Sequence, residues 1–331
     1  MRAIRYERYG APPEVLRLEE VDAPDPSEGE VLLRVHAASA NPVEWHLVRG
    51  EPFLLRLIAG LRVPKDSKVG GDVAGVVEAV GAGVTGLAPG DAVFGTADGS
   101  FAELACAKVE RLARKPQAMT FEQAASIPVA ACTALQALRD HGRLQPAQHV
   151  LVIGAAGGVG SFAVQIAKAL GADVTGVCST THLDFVRALG ADTVVDYTRE
   201  APAGRYDLVL QVAGDTSVAQ LRRLLTAQGT LVIVGVGTGR DGKAGVLGPL
   251  GRMLIARIAS RKNGRRVATF IAKIRTPDLE TLAALAEDGR LQSAVERTYA
   301  LEQAAAALTE IESGHSHGKL VLTIPHARSV L

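Results

Sequence analysis

Between about residues 121 and 270 the chain repeats one pattern: a short apolar run suited to a buried strand, then an amphipathic run suited to a helix. The candidate strands are 150–153, 174–178, 193–195, 206–212, 230–234 and 267–270. Strands alternating with helices predict a parallel sheet covered by helices on both faces, and six such strands suit a dinucleotide-binding domain. In VLVIGAAGGVG (150–160) the first strand breaks at a glycine-rich turn, after which Val159, Ala163, Ile166 and Leu170 share one helical face.

The first 120 residues follow a different rule. VLLRVHA (31–37), GDVAGVVEAVG (71–81) and DAVFGT (91–96) are short Val-rich runs cut by Gly and Pro, with no helical period except around 52–61. Helical runs begin at FEQAAS (121–126) and TALQALRDHG (133–142). After residue 270 come two Ala/Leu-rich helices, 279–287 and 301–311, and a last strand, KLVLTI (319–324). The expected organisation is a domain of residues 1–125 and 271–331, interrupted by a nucleotide-binding domain of 126–270.

Composition narrows the class. The 331 residues carry a formal net charge of +1, which gives no whole-chain attraction to nucleic acid or anionic membranes. Cys106, Cys132 and Cys178 are far apart and form no C-x-x-C pair, which argues against disulfides and a cysteine-built zinc site. No apolar signal core opens the sequence, so a cytoplasmic protein is expected.

In the glycine turn, Gly157 and Gly160 align with the second and third places of G-x-G-x-x-G, and Ala155 with the first. The second glycine lets backbone approach a pyrophosphate, the third lets the helix pack on the strand, and the helix start offers free amides. Ala156, Gly157, Gly158, Val159 and Gly160 are therefore candidate cofactor contacts, with Gly235 after the strand 230–234. The alternative is a mere tight turn. NAD sites place an acid at the end of the second strand. Here that strand runs into Ser179, Thr180, Thr181 and His182 with no carboxylate in sequence, and Tyr197 follows the third strand. Hydroxyls and a part-time cation suit a 2′-phosphate, which favours NADP, although the same residues can cap the next helix.

Taken together, NPVEW (41–45), GDVAG (71–75), PGDAVF (89–94), AACTAL (130–135), GAAGGVG (154–160), CST (178–180) and GADTVVDY (190–197) resemble the zinc-independent medium-chain dehydrogenases/reductases of the quinone oxidoreductase (zeta-crystallin-like) branch. The resemblance implies a GroES-like β-barrel catalytic domain built from both ends of the chain, a Rossmann domain between them, an active site in the cleft, a homodimer and NADPH-dependent reduction of quinones or α,β-unsaturated carbonyls. The chain departs from it at Thr181-His182, where relatives often carry Arg or Lys, and at QVAGD (211–215). In the zinc members' alignment the ligand places fall on Asn41, Asp72, Val73 and near Val129, with Cys132 off register. That set cannot hold a catalytic zinc, so no metal is expected. His315-Ser-His317 reads as an exposed turn rather than a metal site.

Asn41 precedes Pro42, which holds it extended. The resemblance puts it beside the nicotinamide as a hydrogen-bond donor, and an Asx turn is the alternative. Trp45 can stack on a flat substrate or pack, and His46 can donate a proton. Asp72 can orient Asn41 or cap local amides. Thr133 reads as a helix start that either contacts cofactor, as the resemblance implies, or caps the helix. Residues 239–266 hold eight Lys/Arg and one Asp, which reads as a solvated basic face and, less simply, as a membrane contact over 250–266. Without a metal or an obvious acid, an activated C=C or a quinone is the expected acceptor. A zinc-free alcohol or aldehyde dehydrogenase using His46, and a weakly catalytic NADPH-binding sensor or peripheral membrane protein, are the alternatives.

Overall fold

The computed structural model describes residues 1–234, 264–314 and 316–325. The chain divides into two compact units: Met1–Val129, Ile274–Asp288 and Ser293–Leu331 form the first, and Ala130–Lys273 with Gly289–Gln292 the second. Its strands, in chain order, are β1 (Arg2–Arg5), β2 (Arg17–Glu20), β3 (Glu30–Ala40), β4 (Asp72–Val80), β5 (Ala92–Thr96), β6 (Leu104–Lys108) and β7 (Leu112–Arg114). Then come β8 (His149–Ile153), β9 (Asp173–Cys178), β10 (Thr193–Asp196), β11 (Tyr206–Gln211), β12 (Leu225–Ile233) and β13 (Arg266–Thr269), and finally β14 (Val295–Ala300) and β15 (Lys319–Thr323).

In the first unit the sheet runs β14-β15-β3-β4-β5-β7, with β6 also on β3, and β1 pairs β2 separately. This mixed, mostly antiparallel sheet is the GroES-like domain expected from the sequence. β3 alternates buried and half-buried residues through its first half, the period of a strand with one face on the core. Val31, Leu33, Val35, Val73, Val77, Phe101 and Leu320 fill that core. The chain's last strand lies beside one of its first: Leu320 pairs Ala40 and Ser39 pairs Asp72, so β15, β3 and β4 are consecutive neighbours.

The second unit is a Rossmann sheet, six parallel strands in the order β10-β9-β8-β11-β12-β13. The order reverses between β8 and β11, and crevices for ligands form beyond the carboxyl ends of strands at such a reversal. β8 buries Val150, Leu151 and Val152 in succession, as strands covered on both faces do.

Three local expectations need correction. Residues 42–49 form a helix where no helical period stood out: Pro42 fixes φ at the first helical position and Glu44 bonds back to the Asn41 amide, so end signals rather than periodicity define it. Thr133 lies inside the helix Pro128–Gln136, not at its start, so it does not cap it. The helix Gly158–Ala169 is buried throughout 160–167, wider than the stripe read from sequence, and its one long polar side chain there, Gln165, exchanges hydrogen bonds with the backbone of Gln292.

Candidate active site

In the first unit, the ends of β3, β4 and β15 bring Asn41, Asp72 and Lys319 together. Lys319 Nζ donates to Asn41 Oδ1 (2.5 Å) and to the Ala40 carbonyl (3.3 Å), and stands 3.6 Å from Asp72 Oδ2. Asn41 Nδ2 donates to Asp72 Oδ2 (2.9 Å) and to the Ser39 carbonyl (3.4 Å). Asp72 also accepts from Ser39 Oγ (3.3 Å) and, through Oδ1, from the Val129 amide (2.9 Å). Asn41, Glu44, Asp72 and Lys319 are all buried. Burial pushes the Glu44 carboxyl up to about 8, helped by the charge of Asp72, so Glu44 keeps its proton at neutral pH. Burial also raises Asp72 and lowers Lys319, while the attraction between the two opposes both shifts. The cluster thus holds one ion pair and one neutral acid.

Asn41 is extended (φ −129°, ψ 159°) at the head of its helix, yet its side chain caps nothing. Its amide is spent on Asp72, Lys319 and Ser39, and the two charges fix which way it faces. Trp45 belongs to the hydrophobic core, with one ring face stacked on His46 at 3.6 Å. His46 is buried, and its Nδ1 meets the Glu51 carbonyl at 2.8 Å. A carbonyl only accepts, so the ring proton sits on Nδ1 and a neutral His46 presents Nε2 as an acceptor. Burial lowers its proton affinity.

These residues do not fit a catalytic zinc. Such an ion needs three good protein ligands. Asn41 and Asp72 supply one amide oxygen and one carboxylate, both facing a buried ammonium that repels a cation. Among the described residues no group of three or more His, Cys, Asp or Glu converges. His317 Nδ1 pairs with Glu296 at 3.0 Å, and His315 lies outside the described residues.

In the second unit, the turn after β8 is built as a cradle. Gly154, not position 155, makes the tight bend (φ +86°), so the working spacing is G-x-x-G-x-x-G and Ala155 replaces nothing. A Cβ on Gly160 would lie 2.0 Å from the Gly154 carbonyl oxygen, which makes glycine obligatory for helix–strand packing. A Cβ on Gly157 would meet only that same oxygen, at 3.5 Å; elsewhere it would enter open space. Gly157 heads a 12-residue helix with no side-chain cap. The first amides of that helix, beginning at Gly158, Val159 and Gly160, therefore lack intrahelical acceptors.

Beside this turn, across the reversal of strand order, stands Gln211 at the end of β11. It pairs in register with Ile153 on β8 and Ile233 on β12. Its side-chain nitrogen donates to the Gly214 (3.2 Å) and Thr216 (3.4 Å) carbonyls. Its Oε1 is buried and has no partner. An unsatisfied buried acceptor costs about 1–3 kcal/mol, and a ligand donor relieves that cost. The open face at Gly157, the uncapped helix and this orphaned oxygen fit a dinucleotide.

At the end of β9, Ser179 Oγ meets His182 Nδ1 (3.0 Å) and Thr181 Oγ1 (3.1 Å), and none of these side chains caps a helix. Tyr197, exposed, is tied by its amide to the Cys178 carbonyl. The expectation that no carboxylate stands here is corrected by β10. Its Asp196 pairs in register with Cys178 and accepts from Thr180 Oγ1 (2.5 Å), Thr198 Oγ1 (2.7 Å) and the Thr198 amide (2.9 Å). Those hydrogen bonds hold it below the usual carboxylate range. Gly235 and the basic residues 239–263 lie outside the described residues.

Sequence reasoning missed Lys319, Glu44 and Asp196 as members of these clusters, and noted Gln211 only as a departure. A lysine heading an otherwise apolar last strand is the signal that could have found Lys319, because a buried lysine demands a partner.

Residues 27–117 match the alcohol dehydrogenase GroES-like domain family, and residues 189–322 the zinc-binding dehydrogenase family. The chain is 30% identical over 338 residues to a chloroplastic quinone-oxidoreductase homolog of Spinacia oleracea, covering 97% of this chain and 98% of that one. It is 32% identical over 332 residues to the mitochondrial NAD(P)H oxidoreductase RTN4IP1 of Mus musculus, covering 89% and 82%. The solved quinone oxidoreductase of Coxiella burnetii superposes with a TM-score of 0.85 at 28% identity, covering 98% and 99%. The chain therefore belongs to the medium-chain dehydrogenase/reductase family. Within it, the relatives place it in the quinone oxidoreductase branch.

Proposed function

We propose that the chain is a zinc-independent, NADPH-dependent reductase of quinones or α,β-unsaturated carbonyls. The observation that carries the reading is the Lys319 ammonium against Asn41 and Asp72, a fixed positive charge among the side chains where zinc members converge on their ion. The names of the relatives, quinone-oxidoreductase homolog and NAD(P)H oxidoreductase, support the redox class and the cofactor type. For NADP rather than NAD, the support is the Ser179–Thr181–His182 cluster, together with the engagement of Asp196 by threonines and by Arg199 at 3.4 Å, which leaves its charge compensated.

When bound, the cofactor supplies a hydride. The amides following Gly157 would hold its pyrophosphate, Gly160 keeps that helix seated on the sheet, and Gln211 Oε1 would accept from a hydroxyl or amide of the ligand. Ser179, Thr181 and Tyr197 would meet the adenosine end. In the first unit, Asn41 has no free donor, Trp45 is packed and His46 keeps its proton on Glu51. Glu44, the neutral acid of the cluster, is buried, and these three candidates offer no free proton, which favours an acceptor whose own conjugation disperses charge, with water or a site hydroxyl delivering the proton. Engagement of the His46 ring proton also argues against the alcohol-dehydrogenase alternative.

The test is oxidation of NADPH, with NADH in parallel, by chelator-treated protein offered quinones, enones and simple aldehydes. Chelator-insensitive turnover of quinones or enones with NADPH is expected. Zinc-dependent turnover of alcohols or aldehydes overturns the reading. Tight NADPH binding without turnover on any acceptor returns the weight to a sensor.

A further inference from the structure

The segment that continues from the helix Pro42–Arg49 makes no contribution to the core. Its two short helices, Phe53–Leu55 and Arg56–Ala59, contain no buried residue. Phe53 (61%), Leu57 (61%), Ile58 (78%), Leu61 (56%) and Val63 (61%) are exposed, and they make up half of the large exposed apolar side chains among the described residues. A concentration of large exposed apolar side chains in one short segment points to an interaction surface. The segment is nevertheless held in place. Arg56 donates to the Gly50 and Arg49 carbonyls and lies over the Tyr9 ring, Tyr9 Oη donates to the Gly60 carbonyl (2.6 Å), and the Lys65 amide bonds the Ala59 carbonyl (2.7 Å). The apolar residues are thus presented on a fixed backbone.

Charge identifies the occupant. From Glu51 to Lys68 the sequence has Arg56, Arg62, Lys65 and Lys68 against Glu51 and Asp66, a net positive stretch in which Asp66 is paired with Lys68 at 3.5 Å. A second copy of the chain would present the same net positive face, which opposes pairing of the face with itself. An anionic lipid surface answers both features, since its headgroups meet the cations and its acyl boundary takes the apolar side chains. Among the described residues no helix is long and apolar enough to cross a membrane. We propose that this face docks peripherally on anionic lipid, with Phe53, Leu57, Ile58, Leu61 and Val63 entering the headgroup–acyl boundary and Arg62 and Lys65 meeting the headgroups. The inference stands on this surface alone and is independent of the proposed reaction.

The test is co-sedimentation of the full chain with vesicles of phosphatidylcholine alone and of phosphatidylcholine with phosphatidylserine in equal parts, at low and high salt. Binding is expected to the phosphatidylserine vesicles, weakening with salt. Leu57→Glu with Ile58→Glu should abolish it. Arg62→Ser with Lys65→Ser should weaken it by roughly thirtyfold, about fivefold per charge. All four side chains point to solvent, and unchanged circular dichroism and melting would confirm that these variants fold. Five outcomes overturn the proposal, of which four concern binding and assembly. These four are no sedimentation by the parent chain, binding unchanged in both variants, binding lost only when Arg257, Arg261 and Lys262 are neutralised, and a concentration-dependent dimer that the Leu57/Ile58 variant dissolves. A rise in KM for long-tailed quinones in that variant, without vesicle binding by the parent, assigns the face to substrate and overturns it equally.

Discussion

The buried cluster of the first unit and the glycine turn of the second differ in how completely their polar atoms are used. Around Lys319, Asn41 and Asp72, each oxygen and nitrogen of the amide and the ion pair faces a protein partner. Around Gly157, amides at a helix start have no side-chain cap, and Gln211 keeps a buried oxygen with no partner. A saturated cluster stabilises its own geometry and has little left for a ligand. An unsaturated one carries a standing cost that a ligand removes. The features that fit a cofactor therefore lie in the second unit, whereas the polar atoms of the Asn41 cluster are engaged with one another.

The largest expected effect comes from breaking the saturated side. Lys319→Met leaves the Asp72 carboxylate buried without its cation, and removing one partner of a buried pair costs about 3–5 kcal/mol. Denaturant unfolding should show that loss, and adding Asp72→Asn should return part of it. If Lys319→Met is neutral, the two groups are not ionised together and the contrast fails. Next comes a paired test on the turn. Gly160→Ala drives a Cβ to 2.0 Å from the Gly154 oxygen and should lower melting sharply. Gly157→Ala, with 3.5 Å available, should leave melting intact while weakening NADPH binding by on the order of tenfold, or about 1.4 kcal/mol. Equal melting losses in both variants would mean that Gly157 serves the fold rather than the ligand.

The second unit was more legible in the sequence than the first. Most strands of the parallel sheet carry a short apolar core, such as VLVI in β8, LVL in β11 and LVI in β12, and all six overlap the runs read from the sequence. In the first unit, β14 (VERTYA) alternates charge with Thr and Tyr and carries no apolar run, so nothing in it announces a strand. The cluster was hidden for another reason. Lys319 lies 278 residues from Asn41 in sequence, and only the pairing of β15 with β3 brings them together. Asp196 was hidden likewise: it belongs to β10, and only the pairing of β10 with β9 sets it beside Cys178. Local chemistry such as the glycine turn can be read along the chain, whereas side-chain partners supplied by strand pairing cannot.

Gln211→Leu tests the unsaturated side on a smaller scale. It deletes the orphaned oxygen together with the two donors to Gly214 and Thr216, so the expected change in NADPH dissociation constant is about threefold to tenfold, the worth of one neutral hydrogen bond. Isothermal titration measures it without turnover, and an unchanged constant would take Gln211 out of the cofactor site.

Glu44→Gln asks whether the saturated cluster is also neutral apart from its ion pair. Glu44 is raised from an ordinary carboxyl value near 4.5 to about 8 in the folded chain. Between those two values the unfolded chain has released the proton and the folded chain still holds it. The folded state then binds more protons, and its stability must fall as pH rises across that window. The contribution is fully present below the lower value and lost as pH passes the upper one. Glutamine mimics the protonated acid and can still accept from the Asn41 amide, so the variant should melt with the parent near the low end and above it by about pH 8 to 9. Parallel melting curves would mean that Glu44 is ionised in the fold. The cluster would then carry a second negative charge against Lys319, and Lys319→Met should cost correspondingly more than a single pair predicts.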